Sequence, residues 1–376
     1  MPTQSAESPK PVSASPAANG QTRALDSLLA ILKTPELAVE VSRQPEFWAE
    51  IKRLAEIHRF SGVLADSTLP WLPASERPWC DRTLMRHYSQ HKNFLNQLQA
   101  LASAFDEAGI PCVALKGPAL AERYFAKPFL KFHHDLDLLM RCRDIPAAAR
   151  LLSQLGFRLI GRYPWAIHRR WVHDVQFRSD ADNKLVEIHF ALKTGPHMIT
   201  ADGFLERAIP WTFPGGSPAL VLSPPDECLY LIAHAAGHTF RRLRWLYDAL
   251  VVAKTLTAAE REQVRAMALE MRLTGVFVAA DMACREFFGE PLPLDLSGFR
   301  TPWLWSHLNA RHVRAMTRHT QVRFGTRLLD LCRISGSPAE ALRLCAQNGL
   351  MKVPMLLYRA GRQPQGPDVL MRTMEE

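Results

Sequence analysis

No uninterrupted apolar stretch in this chain approaches the ~18 residues needed to cross a bilayer, so a transmembrane segment is not expected. The seven cysteines are odd in number and scattered from Cys80 to Cys345 without paired spacing. That pattern argues against a disulfide scaffold and a zinc cluster, and for reduced thiols in the cytoplasm. Residues 1–21 are rich in Ala, Ser and Pro but have no apolar centre. They resemble neither a secretory signal nor a folded element, and a disordered tail is expected. A dense basic run is missing too. The net charge is +9, yet only Arg241-Arg242-Leu243-Arg244 and His168-Arg169-Arg170-Trp171 form tight basic groups, each readable as a solvated face or, for the first, as a phosphate contact. With no RNA-reading motif, aromatic-basic sheet signature or internal repeat, nucleic acid is not an expected partner.

What is present is a soluble globular composition, 47% apolar, in a chain of 376 residues that suffices for two or three domains. Its most informative stretch is Leu115-Lys116-Gly117, followed after seventeen residues by Asp135-Leu136-Asp137-Leu138-Leu139-Met140. Side chains alternate across a strand, so Asp135 and Asp137 share a face about 7 Å apart along the chain while Leu136, Leu138 and Met140 turn to the core. Bare carboxylates this close repel and raise a pKa unless a cation sits between them. Paired divalent ions need such shared oxygens. Ile110–Leu115 reads as a buried strand closed by Lys116-Gly117, and Pro118 suits the first turn of a helix through Ala119, Glu122 and Tyr124. In Leu185–Phe190 a third acid, Glu187, shares a face with His189. Three carboxylates on neighbouring strands would hold two metals, with Glu187 placed to accept a proton from an attacking hydroxyl. The backbone N–H groups of the Lys116-Gly117 turn, at a helix start, favour phosphate.

Breakers and periodicity divide the chain further. Residues 22–108 read as a helical segment, with Leu25, Leu28, Leu29 and Leu32 on one stripe, a break from Pro70 to Pro78, and a long helix from Arg82 to Phe105. Residues 109–220 hold the mixed strands, including an Ile145–Leu155 helix, a Phe157–Ile160 strand and a hairpin of Val172–Arg178 with Leu185–Leu192. Pro210, Pro214, Gly215, Gly216 and Pro218 read as a linker. Ser223, with Pro224 at the first helical position and Asp226-Glu227 in the first turn, opens the C-terminal helical domain, 221–360. Residues 361–376 are expected to be a flexible tail. His234 and His238 stand four apart on one helix face, but no Glu lies between them and no third ligand follows at a telling distance, so no zinc is expected. Arg244 and Asp248, also four apart, can form an ion pair that fixes this helix against the sheet.

These motifs resemble the uncharacterised nucleotidyltransferases of the polymerase-beta-like superfamily over roughly residues 95–255. The resemblance rests on Lys116, Gly117, Tyr124, Lys131, Asp135 and Asp137, then on Glu187-Ile188-His189-Phe190, then on His234, His238, Arg244-Trp245 and Asp248. The chain departs from the family pattern in carrying Lys131 where Arg is usual, which loses the bidentate fork on phosphate, and His133-His134 before the aspartates. The resemblance implies an α+β fold: a polymerase-beta-like mixed sheet flanked by N-terminal and C-terminal helical segments. It further implies transfer of a nucleoside monophosphate from an NTP such as ATP to a hydroxyl-type acceptor, with Mg²⁺ or Mn²⁺ and release of pyrophosphate. Asp135, Asp137 and Glu187 would be catalytic and metal-binding, Lys116, Gly117 and Lys131 would hold the nucleotide, and His189, Arg244 and Asp248 would meet the acceptor. A non-catalytic module that keeps the fold for nucleotide sensing or protein interaction is the alternative, and a nucleic-acid-binding protein the third reading.

Overall fold

The computed structural model describes residues 16–160, 172–193 and 198–299, with a few isolated positions elsewhere. His168, Arg170 and Trp171, residues 1–15 and residues 300–360 other than Ala339 and Leu342 therefore lie outside the described residues, and with them most of the expected tail and half of the expected C-terminal domain. The first helix, α1, spans Pro16–Lys33, overlapping the end of the expected 1–21 tail because its leucine stripe draws the preceding residues into the same helix. The helices α2 (Ala38–Val41), α3 (Pro45–Ile57), α4 (Ser61–Thr68) and α5 (Arg77–Glu107) follow. Helix α5 starts earlier than the proline-rich break suggested. Pro78 sits in its first turn, where a missing N–H leaves no bond unmade.

The sheet follows in β1 (Val113–Leu115), α6 (Gly117–Tyr124), β2 (Asp135–Leu139), α7 (Ile145–Gln154), β3 (Phe157–Ile160), β4 (Asp174–Ser179) and β5 (Leu185–His189). After these come a short pair β6 (Ala191–Lys193) and β7 (Met198–Thr200), helix α8 (Asp202–Glu206), and then β8 (Ile209–Thr212) and β9 (Pro218–Val221). Seven strands make one mixed sheet in the order β3-β4-β5-β2-β1-β9-β8. Strand β2 is parallel to β5 and antiparallel to β1, with Asp137 opposite Glu187 on one side and Leu115 on the other. The expected linker is instead the β8–β9 hairpin. Pro210 is tolerated because β8 is an edge strand, and Gly215 and Gly216 take positive φ (104° and 94°) to turn the chain.

The sheet separates two cores. Leu136, Leu138, Val186 and Ile188 face α5 and α7, and Met371 and Met374, in the stretch expected to be a flexible tail, pack into that core. On the other face Val113, Leu115 and Leu139 join a larger core with the N-terminal helices and with α9 (Pro224–Gly237), α10 (Leu243–Thr255), α11 (Ala258–Glu270) and α12 (Thr274–Phe288). Helix α9 opens as expected on Ser223, whose hydroxyl accepts from Asp226 N at 3.4 Å. It is buried on nearly all sides, and so runs through the middle of the molecule and carries polar residues into its interior. This is an α+β fold with a mixed sheet flanked by helices. Among the described residues no helix is long and apolar enough to cross a membrane, and Cys80, Cys112, Cys142, Cys228 and Cys284 are free thiols.

Helices α4 and α5 meet without a gap at Gly62, where an added Cβ would stand 2.7 Å from His87 Nδ1 and 3.0 Å from the Leu130 carbonyl. Gly62→Ala is therefore expected to cost about 1–3 kcal/mol in urea unfolding; an unchanged midpoint would show that the contact yields freely. His87 and His58 are both buried. Burial, reinforced by the Arg86 charge at the first and Arg53 at the second, lowers each ring to about 4 from the ordinary 6.5. The folded values lie below the unfolded one, so the unfolded chain binds these protons first, and stability present above 6.5 is lost as pH falls toward 4. Other groups titrate in the same window, but His87→Asn isolates one share. The stability of the wild type relative to that variant should drop by roughly 2–3 kcal/mol between pH 7 and 4.5, and a pH-independent difference would refute the assignment.

Candidate active site

Three strand ends bring the expected residues together. Because β2 lies between β1 and β5, the residue after β1 and the acids of β2 and β5 converge on one face of the sheet. Donor atoms of Asp137, Glu187 and His189 all lie within 4.8 Å of one another. Asp135 lines the same cavity, but its carboxylate stands outside that trio. Lys116, left-handed at φ 44° just before Gly117 at φ 50°, turns its ammonium onto Asp137 Oδ1 at 3.0 Å, and His189 Nε2 meets the same oxygen at 2.9 Å. The strain of positive φ at a lysine is held by this contact. Asp137 is buried, 4% exposed. Burial alone would raise its carboxyl, but the Lys116 ammonium and the His189 hydrogen bond hold it well below the ordinary range. Asp135 moves the other way, pushed up by burial and by the Asp137 charge, and Glu187 is pushed up to about 7 by burial and by both aspartates. Repulsion expected of both aspartates thus falls on Asp135 and Glu187 only; for Asp137 the protein supplies its own cation. Two carboxylates with an imidazole, and a third carboxylate on the same wall, form a donor set that fits a divalent cation.

Asp135, Asp137 and Glu187 line a cavity of about 330 Å³. Arg59, Lys131, Arg241, Arg242 and Arg244 line the same cavity, with Arg59 and Arg242 near enough to Asp135 to feel its charge. Arg244 Nε donates to Asp248 Oδ1 at 2.8 Å, the expected i, i+4 pair, and Lys131 Nζ donates to the other oxygen of the same carboxylate. The lysine that replaces the usual arginine is therefore tied to α10, joining the loop before β2 to the C-terminal helices through one buried carboxylate between two cations. His234 and His238, expected on one helix face, pack with Trp245 in a cluster of rings, 5.1 and 4.5 Å between centroids.

Sequence reasoning passed over Arg59 and named Arg242 only as part of the basic group Arg241-Arg242-Leu243-Arg244. Arg59, left-handed at φ 65° between α3 and α4, stacks on Phe132 at 4.0 Å, and Arg242 stands over Trp245 at 5.0 Å. Neither forms an ion pair with a carboxylate among the described residues. Burial and the Arg242 charge lower Arg59 to about 10, with Asp135 opposing. Nothing local marks Arg59, which reaches the site only because α3 and α4 pack beside the sheet. A second omission is the chain Glu122–His91–His133, with His91 bridging at 2.7 Å to Glu122 Oε1 and 2.9 Å to His133 Nε2; the paired histidines before the aspartates were its one signal.

Comparison with known proteins adds the following. A family model described as an uncharacterised nucleotidyltransferase matches residues 44–289. No curated protein matches the chain. Two solved structures of ANT(2'')-Ia are similar to it, each 14% identical. The solution structure of that antibiotic-resistance factor has a TM-score of 0.36, over 48% of this chain and 93% of that one. The crystal structure of its complex with adenylyl-2''-tobramycin has a TM-score of 0.37, over 48% and 99%.

The carboxylate shared by two cations sets a clear expectation. Asp248→Ala leaves Lys131 and Arg244 buried without a counter-charge and should cost about 3–5 kcal/mol. Lys131→Met leaves the Arg244–Asp248 pair intact and should cost far less. Denaturant titration of both variants checks this, and equal losses would show that Lys131, not Asp248, anchors the group.

Proposed function

We propose, since the chain belongs to the uncharacterised nucleotidyltransferase family, that it moves a nucleoside monophosphate from an NTP to a hydroxyl-bearing acceptor and releases pyrophosphate. The observation that carries this reading is the meeting of Asp137, Glu187 and His189 beside a cavity that Asp135, Asp137 and Glu187 line together with Arg59, Lys131, Arg241, Arg242 and Arg244. An NTP has the matching polarity. Its triphosphate would lie between Gly117 at the start of α6 and the arginines Arg59 and Arg242, where N–H groups and guanidinium charges oppose the phosphates. Phe132 and Trp245 offer aromatic faces in the same cavity. Lys131 adds charge, and Asp248 holds both it and Arg244 in place.

Asp135, Asp137 and Glu187 would hold Mg²⁺ or Mn²⁺, whose contribution is to neutralise charge on the triphosphate and on the attacking and leaving oxygens. Lys116 neutralises Asp137 when no such ion is bound. Glu187 would then take the proton of the acceptor hydroxyl as its oxygen bonds to the α-phosphorus and the bond to the bridging oxygen breaks, with pyrophosphate leaving on that electron pair. Positioning and charge do the rest.

The test is incubation with each labelled NTP, Mg²⁺ or Mn²⁺ and a cell extract, with identification of the labelled product. Glu187→Gln should slow label transfer at least a hundredfold while changing NTP affinity only a few-fold, whereas Asp135→Asn and Asp137→Asn should abolish it. The two aspartates should part in metal-free stability. Asp135→Asn relieves repulsion and raises the melting temperature, while Asp137→Asn strips Lys116 and His189 of their partner and lowers it. Unimpaired transfer in either variant would sink the mechanism; NTP binding without transfer in the wild type would favour a sensing module.

A further inference from the structure

Among the described residues, the acids, histidines and cysteines whose donor atoms gather within 4.8 Å of one another are Asp137, Glu187 and His189. This set differs from the three acids expected to hold the metal, with an imidazole in the place of Asp135. Strand register explains the exchange. Strand β5 sets Glu187 across from Asp137 and His189 across from Leu139, and His189, two residues beyond Glu187, shares its face. His189 Nε2 therefore lies 2.9 Å from Asp137 Oδ1 and 3.8 Å from Glu187 Oε2. Donors about 2.1 Å from a single ion stand about 3 Å apart when adjacent and about 4 Å apart when opposite, so this nitrogen is at ligand spacing from both acids. His189, expected to meet the acceptor, is 6% exposed and turned onto the carboxylates instead. Its Nε2 and the Lys116 ammonium both reach Asp137 Oδ1, and a cation satisfies that oxygen in place of either. The kind of cation follows from the kind of donor. Mg²⁺ takes oxygen ligands and gives up its water reluctantly. An imidazole tilts the site toward a first-row transition ion, of which Mn²⁺ is the one that carboxylates also suit.

We propose that His189 binds directly, through Nε2, to the ion that Asp137 and Glu187 hold, and that its imidazole makes this position prefer Mn²⁺ to Mg²⁺. The proposal deepens the nucleotidyl-transfer reading and rests on it for the use of the ion, though not for its binding. The competing role for His189 is to orient Asp137 by a hydrogen bond alone. Glutamine in its place separates the two. A Gln side chain keeps an N–H to offer Asp137 but has no imidazole nitrogen, and its amide oxygen suits Mg²⁺ as well as Mn²⁺.

Pulsed EPR of Mn²⁺ bound to the full-length protein reads the ligand directly. A coordinated histidine nitrogen modulates the electron-spin echo, and growth on ¹⁵N-labelled histidine should shift that modulation. His189→Gln should abolish the coupling. By calorimetry the same variant should bind Mn²⁺ about tenfold more weakly and Mg²⁺ within about twofold of the wild type. The wild-type spectrum decides whether a histidine is bound whatever the stability of the variant. Absence of histidine coupling in the wild type, failure to bind Mn²⁺, a coupling that survives His189→Gln, or parallel losses of Mn²⁺ and Mg²⁺ would overturn the proposal. Failure of the wild type to bind any of the four NTPs with Mn²⁺ present would strike the nucleotidyl-transfer reading instead, and the ligand assignment would stand or fall on the spectrum.

Discussion

A carboxylate almost wholly removed from water is unstable as an ion unless charge is brought to it, and Asp137 is such a group. Lys116 and His189 bring that charge, each within about hydrogen-bonding distance of one oxygen. Much of the sheet's arrangement follows from this requirement. Strand β1 must end beside the middle of β2 for Lys116 to arrive, and the left-handed backbone at Lys116 and Gly117 is what turns the side chain back onto the strand. Strand β5 must run parallel to β2 in the register that sets Glu187 across from Asp137, which in turn places His189 one pleat further along on the same face. An ion pair at the heart of the sheet thus specifies pairing as well as charge.

The same rule operates a second time at Asp248. Its carboxylate lies between Lys131 and Arg244, coupling the loop that leads into β2 with helix α10 across the cavity. Two buried anions, each answered by a lysine from elsewhere in the chain, tie the helical segments to the sheet and leave a polar interior. Excess negative charge collects at Asp135 and Glu187, and excess positive charge at Arg59 and Arg242.

Motifs were legible where spacing carries the physics. The i, i+2 aspartates, the Glu187–His189 face, the Ser223 cap and the i, i+4 pair of Arg244 and Asp248 all depend on local periodicity, and each stands where the periodicity puts it. Breakers misled where their meaning depends on neighbours. Pro210 looks like linker until β8 proves to be an edge, and Pro78 looks like a stop until it proves to be the first turn of α5. The tail residues Met371 and Met374 could not be assigned to a core whose other wall is formed by α5 and α7.

By itself, then, the sequence determined the mixed α+β organisation, the acids of the site and the face they share, because alternation and helical repeat act over a few residues. Only the tertiary structure decided which charge answers which. The pairing of Lys116 with Asp137, of Lys131 with Asp248, and the arrival of Arg59 from the turn between α3 and α4 join residues far apart in the chain. Such partners are selected by the desolvation of buried charge, and that exists only once the chain has closed around it.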